Sequence, residues 1–339
     1  MTDKKWKDYL LKSSLPLEHV VAADLSKHGW EVWGQYAYAR DNESGISVDF
    51  SVDLEATKEY SYTKKVHSAF QILIECKYAS PGVRWVFLPY PTTAQLFAGV
   101  VQVVDQAANK RVTNRNSFMQ IENDLEYCIR GISLYDSGFD ENAIQHGAYQ
   151  LRYAISKLVA ERLLAQATCL HDEDITVGFA CAILVTTAPL FTLNSGLSLE
   201  DVIRADSIDA IVTEQELLVL WDSHAPDRSN YARKLYEQPD LEAINTRLKQ
   251  YAKAFTPTKK IKYPPYEGEV GRTIDTAGDH ILVVNHKHLT SVLKSLSVAA
   301  TRATKSIETV ATVEYDRANR EVKIGSVATI SPLSKTKEP

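Results

Sequence analysis

The stretch FQILIECKYAS, Phe70 to Ser80, places a carboxylate and an ammonium group two residues apart inside an apolar run. Successive side chains of a strand point to opposite faces, so Glu75 and Lys77 would share one face. A solvent-exposed pair of this kind is worth only about 0.2–1 kcal/mol and needs no function. The apolar run at 72–74, however, is typical of a central strand, where an unpaired charge is costly. The pattern therefore favours a functional role for Glu75 and Lys77.

A second candidate strand, ISVDFSVDLEAT at residues 46–57, alternates between apolar and polar positions. It predicts an apolar face of Ile46, Val48, Phe50, Val52 and Leu54, and a polar face of Ser47, Asp49, Ser51, Asp53 and Glu55. If this strand and residues 67–79 form a hairpin with its tip near Tyr62, Asp49 faces Glu75. Asp53 then lies closer to the tip, near position 71. A shift of this register would exchange the two aspartates, so both remain candidates.

Two carboxylates beside a lysine suit a hard divalent cation. Mg²⁺ and Mn²⁺ prefer oxygen ligands, commonly one or two carboxylates completed by water and substrate phosphate. Asp49 and Glu75 are the expected ligands, and the main-chain carbonyl of Cys76 could offer a further oxygen. Such a cation lowers the pKa of a bound water, which Lys77 could orient or deprotonate. These parts fit the hydrolysis of a phosphodiester.

An aspartate, a hairpin and then IECKY resemble the active-site motif of the PD-(D/E)XK, or restriction-endonuclease-like, nuclease superfamily. The form ECK resembles Holliday-junction resolvases and type IV restriction enzymes in particular. In that group a glutamate on the preceding helix often completes the site, and Glu18 in LPLEHVVAADLSKHGWEV has the matching place. The resemblance covers residues 15–80. It implies Glu18, Asp49, Glu75 and Lys77 as catalytic residues, and a Mg²⁺ or Mn²⁺ ion held by Asp49, Glu75 and Cys76.

The chain departs from the family pattern in two respects. No proline precedes Asp49, and Asp53 and Glu55 share its polar face, so the identity of the metal-binding aspartate stays open. Gln95 and Gln102 follow the third strand, where the family sometimes has a glutamine facing the site, but chance explains them equally well. The pair His286 and His288 is expected to belong to a loop rather than to a metal site.

The composition predicts an ordinary globular protein. The 339 residues are 45% apolar and 24% charged, with a net charge of −5, so the chain is not a general polycation. Four cysteines without metal-ligand spacing, and an N-terminus without an apolar signal region, predict reduced thiols and a cytoplasmic location. The uncharged stretch at 175–199 contains Pro189, Asn194 and Gly196, which favours a buried strand and turn over a membrane helix.

Basic runs could reconcile the negative net charge with a DNA partner. TKK at 63–65, NKRVTNR at 109–115 and TKKIK at 258–262 are predicted to gather around the site. DNA affinity would then fall steeply with salt, because each neutralised phosphate releases counterions.

The order of elements predicts an α/β restriction-endonuclease-like fold, with a central mixed β-sheet flanked by helices and with insertions. The first three strands lie too close together for crossover helices and should form an antiparallel meander. We expect a single elaborated domain over residues 1–339. Its parts are a catalytic core at 14–80 plus 142–193, a helical insertion at about 81–140, and a C-terminal strand, helix and hairpin extension at about 275–330.

The sequence therefore predicts a Mg²⁺-dependent endonuclease acting on DNA in restriction, phage defence or repair, with no membrane partner; a homodimer is left open. The alternative is a catalytically inactive nuclease-fold module for DNA binding or protein assembly. An α/β enzyme for a small phosphorylated substrate ranks last, because the chain has neither a P-loop nor a GxGxxG motif.

Overall fold

A computed structural model of the chain describes residues 5–42, 44–61, 66–91, 100–104, 125–168, 175–221, 226–237, 271, 273–308, 313–316 and 321–324. The first elements are α1 (Lys5–Lys12), α2 (Leu15–Lys27), β1 (Glu31–Asp41), β2 (Ser47–Ser61) and β3 (Val66–Lys77). They are followed by β4 (Arg84–Pro89), β5 (Gln102–Val104), β6 (Tyr127–Tyr135), β7 (Gly138–Asp140) and the long helix α3 (Asn142–Thr168).

The second half begins with β8 (Ile175–Thr186), β9 (Leu190–Leu193), α4 (Leu199–Arg204), β10 (Val212–Gln215), β11 (Leu217–Trp221) and α5 (Pro226–Tyr236). The last described elements are β12 (His280–Asn285), α6 (Leu289–Glu308), β13 (Val313–Asp316) and β14 (Glu321–Ile324). Short 3₁₀ turns occur at Ile208–Ala210 and His286–His288.

Within the described part of the chain, twelve strands form one mixed sheet in the order β1-β2-β3-β8-β12-β11-β6-β4-β9-β10. β5 and β7 pair with β8 and β6 outside this path. β1, β2 and β3 form the expected antiparallel meander. β8 runs parallel to both β3 and β12 and is buried, which confirms the buried strand predicted in the uncharged stretch at 175–199. β13 and β14 form a separate hairpin, as the sequence predicted.

Helices cover both faces of this sheet. α3 packs on one face, where its buried residues join Leu73 and Leu184 in one core cluster. α2 and α6 pack on the other face against Ile72, Ile74 and Cys76. Alternate residues of β3 thus enter different cores, and Glu75 and Lys77 belong by strand alternation to the α3 face. The chain is therefore an α/β protein with a large mixed sheet flanked by helices, as predicted.

The β2–β3 hairpin is longer than predicted. β2 continues to Ser61 through the polar segment that the sequence analysis assigned to the hairpin end. Polar side chains of this segment find partners: Lys58 Nζ donates to the carbonyl of His28 at 2.7 Å and lies 5.9 Å from the Trp30 ring centroid. Ser61 pairs with His67, so the register differs by four residues from the one that a tip near Tyr62 predicted.

The prediction of a helical insertion at 81–140 is wrong for the residues that the structure describes. These residues form β4, β5, β6 and β7. β6 pairs with β4, β7 and β11, so its backbone groups are satisfied between neighbouring strands of the main sheet. The sequence pattern could not reveal the pairing of β6 with β4 and β11, because both strands are distant from it in the chain.

Two expectations on composition can be compared with the described residues. Cys76 and Cys128 are buried free thiols, as predicted, and Cys181 is also buried, whereas Cys169 lies outside the described residues. No helix within the described ranges has both the length and the apolar character needed to cross a bilayer.

Gly131 allows β6, β4 and the start of α3 to pack closely. A Cβ at this position would lie 2.5 Å from Phe87 Cε1 and 3.1 Å from Ile144 Cδ1. We expect Gly131→Ala to lower the free energy of unfolding by about 1–3 kcal/mol, because the core must be overpacked. Urea unfolding measures this change. Ile129→Ala, at a position 39% exposed on the same strand, serves as the control and should have a smaller effect.

Candidate active site

A β-bulge in β2 shapes the candidate site. Gly34 of β1 faces Glu55, but Tyr36, two residues later, faces Val52, so β2 contains one extra residue in this interval. As a result Val52 packs in the core beneath α3, whereas Leu54 packs in the core on the opposite face. The prediction that Val52 and Leu54 share a face is therefore wrong. The bulge includes Asp53.

Asp53, not Asp49, lies beside the ExK motif. Leu54 pairs with Ile74, so Asp53 is in line with Glu75, four residues further along β2 than the predicted partner. The carboxylate Oδ2 of Asp53 accepts a hydrogen bond from the Cys76 backbone N–H at 2.7 Å. Asp49 is exposed and pairs with Ala39 of β1. The predicted register is wrong because it placed the hairpin tip too early and assumed a regular strand.

The backbone of Cys76 is directed towards Asp53. N–H and C=O of one strand residue point to the same neighbour, so the Cys76 carbonyl points to the side of β2 on which Asp53 accepts the N–H. The regular β2–β3 pairing ends at Leu54 and Ile74. The expected third oxygen of the site is therefore on the side where the two carboxylates meet.

Glu75 is a buried carboxylate with an ammonium partner. It is only 1% exposed, and Lys77 Nζ lies 2.5 Å from its Oε1. Its Oε2 is buried and has no hydrogen-bond partner among the described residues. Burial, and then the negative charge of Asp53, raise the pKa of Glu75 from the ordinary 4.5 to about 7, although Lys77 opposes this shift. The carboxyl group can thus change its ionisation near neutral pH.

α3 holds Lys77 against this carboxylate. Gly147 faces the pair so closely that a Cβ there would lie 3.2 Å from Lys77 Cε and 3.5 Å from Glu75 Cγ. One turn later, Gln150 Oε1 accepts from Lys77 Nζ at 3.5 Å, and its Nε2 donates to the Ser51 carbonyl at 3.0 Å. Gln150 therefore connects α3 to both strands of the hairpin. The sequence analysis did not identify it, because its long-range contacts leave no local pattern.

Glu18 approaches the site from the first turn of α2. Ser14, just before this helix, accepts the Tyr78 backbone N–H on its Oγ at 3.2 Å, which fixes the start of α2 against the end of β3. Burial raises the pKa of Glu18, and the nearby Asp53 carboxylate raises it further, while Lys77 lowers it. The structure therefore brings Glu18, Asp53, Glu75 and Lys77 into one electrostatically coupled group.

Arg40 is a cation next to this group that the sequence analysis missed. Its Cζ lies 4.4 Å from the ring centroids of both Phe50 and Tyr153, so two aromatic rings hold the guanidinium. Phe50 precedes Ser51, and Tyr153 follows Gln150 by one turn of α3, so Arg40 adjoins the contacts of Gln150.

The donor set fits a hard divalent cation only in part. Asp53 and Glu75 supply carboxylate oxygens, and the orphaned Oε2 of Glu75 is an acceptor in need of a partner. Within the described residues, however, no three side chains of the types His, Cys, Asp and Glu are arranged to hold a metal ion. Two carboxylates are still sufficient for Mg²⁺, because water and substrate phosphate normally complete its shell.

The other sequence candidates either belong to other elements of the fold or lie outside the described residues. Gln102 is buried in β5, which pairs with β8, and Gln95 lies outside the described residues. His288 Nδ1 lies 3.3 Å from Glu216 Oε2, in the 3₁₀ turn after β12, as expected for a loop histidine. The three basic runs at 63–65, 109–115 and 258–262 also lie outside the described residues.

Comparisons with known proteins do not assign the chain to a family. No family model matches the chain, and no curated protein and no solved structure matches it either. The motif and the geometry of its residues therefore carry the information on function.

Replacing the buried carboxyl should have a pH-dependent effect on stability. The folded pKa of Glu75, about 7, lies above the ordinary 4.5, so wild-type stability falls as pH rises from about 4.5 to about 7. Glu75→Gln removes this loss of stability, because glutamine does not ionise. Its stability relative to wild type should therefore be more favourable at pH 8 than at pH 5, by on the order of 2–3 kcal/mol.

Denaturant unfolding at both pH values, with EDTA present, measures this difference. The control is Asp49→Asn, an exposed carboxyl on the same hairpin, which should change stability little at either pH. A Glu75→Gln variant whose relative stability is the same at pH 5 and pH 8 would contradict the assignment of a buried, strained carboxylate.

Proposed function

We propose that the chain is a metal-dependent nuclease that hydrolyses phosphodiester bonds of DNA in the cytoplasm, in restriction, phage defence or repair. Its fold would be the restriction-endonuclease-like one that its motif resembles. The observation that carries this proposal is the meeting of Asp53, Glu75 and Lys77 at the end of the β2–β3 pairing, with one buried oxygen of Glu75 left without a partner.

Each residue has a role that its environment supports. Asp53 and Glu75 would hold Mg²⁺ or Mn²⁺, with the Cys76 carbonyl as a third oxygen. When bound, such an ion lowers the pKa of water and neutralises charge on the phosphate. Lys77, held by Gln150, donates to and orients the attacking water, and Glu18 accepts a hydrogen bond from water on the α2 side.

Two cationic features support DNA as the substrate. The guanidinium of Arg40 lies near Gln150 and is held by the rings of Phe50 and Tyr153. Planar guanidinium groups bind phosphate oxygens well. α1 carries Lys5, Lys7 and Lys12 next to the exposed rings of Trp6 and Tyr9, and it ends two residues before Ser14, which binds the end of β3. Lysines mixed with exposed rings are typical of surfaces that contact nucleic acid.

The second candidate is a nuclease-fold module that binds DNA or assembles with proteins without cleaving. Two observations favour it: Lys77 already occupies one oxygen of Glu75, and the described residues contain no metal group of three side chains. The nuclease requires a bound metal ion and the non-catalytic module does not, so the response to metal distinguishes the two functions.

The nuclease proposal predicts loss of cleavage with the fold intact. Lys77→Ala and Asp53→Asn should each slow Mg²⁺- or Mn²⁺-dependent cleavage by about 100-fold or more. Asp49→Asn is the matched control, since the same chemical change is made at an exposed position of the same strand, and it should cleave at the wild-type rate. The assay uses plasmid, linear duplex and four-way-junction DNA, with circular dichroism as the check on folding. A Lys77→Ala variant that cleaves at the wild-type rate would contradict the proposal.

Metal binding without DNA separates the two candidates. Mg²⁺ or Mn²⁺ should raise the Tm of wild type, because an ion that binds only the folded state stabilises it by about 2.7 kcal/mol at 100 times Kd. Asp53→Asn and Glu75→Gln should lose most of this shift, and Asp49→Asn should keep it. No shift in wild type up to millimolar metal would favour the non-catalytic module.

A further inference from the structure

A pocket of about 340 Å³ opens immediately beyond the ExK motif. Its volume is at the lower end of the range for small-ligand sites. We call it the Tyr135 pocket; it is lined by Tyr78, Ala79, Ser80, Val83, Trp85, Ser133, Tyr135, Phe139, Asp140 and Ala143.

The Tyr135 pocket is continuous with the candidate active site. Ala79 follows Lys77 by two residues and packs against the same core beneath α3. Ala143 precedes Gly147 by about one turn of α3, and Gly147 faces Lys77 and Glu75 directly. A ligand group in the pocket therefore lies next to any phosphate held at Glu75 and Lys77, about one helical turn along α3.

The lining combines a flat aromatic surface with an unused hydrogen-bonding group. Tyr135 is 38% exposed, whereas Trp85, on the neighbouring strand, is buried. Ser133 pairs with Trp85 and Asp140 across its two neighbouring strands. Its Oγ is buried and has no hydrogen-bond partner among the described residues. A hydroxyl can donate and accept, so it can satisfy the polar edge of a planar heterocycle.

Asp140 adds a second polar edge to the pocket. Its Oδ1 accepts from the backbone N–H and the side-chain amide of Asn142, so this carboxylate is fixed at the start of α3. A fixed carboxylate accepts hydrogen bonds from exocyclic amino groups but repels phosphate. The pocket therefore suits an uncharged aromatic ring with a hydrogen-bonding edge better than it suits an anion.

We propose that the Tyr135 pocket receives one unstacked nucleobase of the DNA strand, from a nucleotide next to the scissile phosphate. The ring stacks on Tyr135, and its edge meets Ser133 Oγ and Asp140. This inference rests on the proposed nuclease function and adds to it a substrate class, DNA in which a base at the cleavage site is readily displaced, as in a junction, a mismatch or a single strand.

The first experiment measures displacement of the base. The position of cleavage is mapped with wild type and Mg²⁺, and duplexes with 2-aminopurine at each flanking nucleotide are then bound in EDTA. Unstacking should change the fluorescence strongly at one position next to the cleavage site. Tyr135→Ala should abolish this change and weaken DNA binding by about five-fold to one-hundred-fold, the range found for loss of one stacked base.

Trp33→Ala is the control, because Trp33 is an exposed ring, 63% accessible, on β1 and does not line the Tyr135 pocket. It should leave both affinity and fluorescence as in wild type. If Tyr135→Ala also behaves as wild type while wild type still cleaves DNA, the pocket assignment is overturned and the nuclease proposal stands. If wild type neither binds nor cleaves any DNA tested, both fall together.

Ser133→Ala separates a ligand role from a structural one. Removing a buried hydroxyl that has no partner should leave the Tm unchanged or raise it, because the folded protein no longer buries an unsatisfied group. The same change should reduce the discrimination between bases at the displaced position. A lower Tm with unchanged base preference would assign Ser133 to the fold alone and overturn its role in the pocket.

Discussion

The hydrogen bond from the Cys76 backbone N–H to the Asp53 carboxylate is the contact on which the candidate site depends. At 2.7 Å, it occupies the position where the regular pairing of β2 with β3 has just ended. A side-chain acceptor thus replaces a ladder acceptor, and the bulge that makes this possible turns Asp53 towards the motif. The extra residue that β2 has in its pairing with β1 lies next to the point where the ladder between β2 and β3 ends.

Burial of Glu75 raises the pKa of its carboxyl group and lowers the stability of the folded protein. A carboxylate only 1% exposed must be compensated, and Lys77 on the same face supplies one contact while Oε2 remains unpaired. The absence of a side chain at Gly147 lets α3 approach this pair closely. Unsatisfied buried groups of this kind are typical of functional sites, because structure alone gives no reason to keep them.

α3 connects the parts of the site along one line. From its start, Ala143 borders the Tyr135 pocket, Gly147 contacts Lys77 and Glu75, Gln150 binds Lys77 and Ser51, and Tyr153 packs on Arg40. These positions are three or four residues apart, so they lie on one side of the helix, which faces the sheet. This helix of 27 residues thereby sets the distances between the Tyr135 pocket, the Glu75–Lys77 pair and Arg40.

The sequence by itself predicted the meander and the buried strand within 175–199, because both follow from local patterns of apolar residues, and charge in an apolar run made Glu75 and Lys77 candidates for the site. Only the tertiary structure decided between Asp49 and Asp53. Alternation with a period of two predicts faces, but neither a bulge nor the end of a hairpin, and one extra residue reverses every face that follows. Gln150 and Arg40 were missed for a related reason: their partners are distant in the chain, and packing alone brings them together.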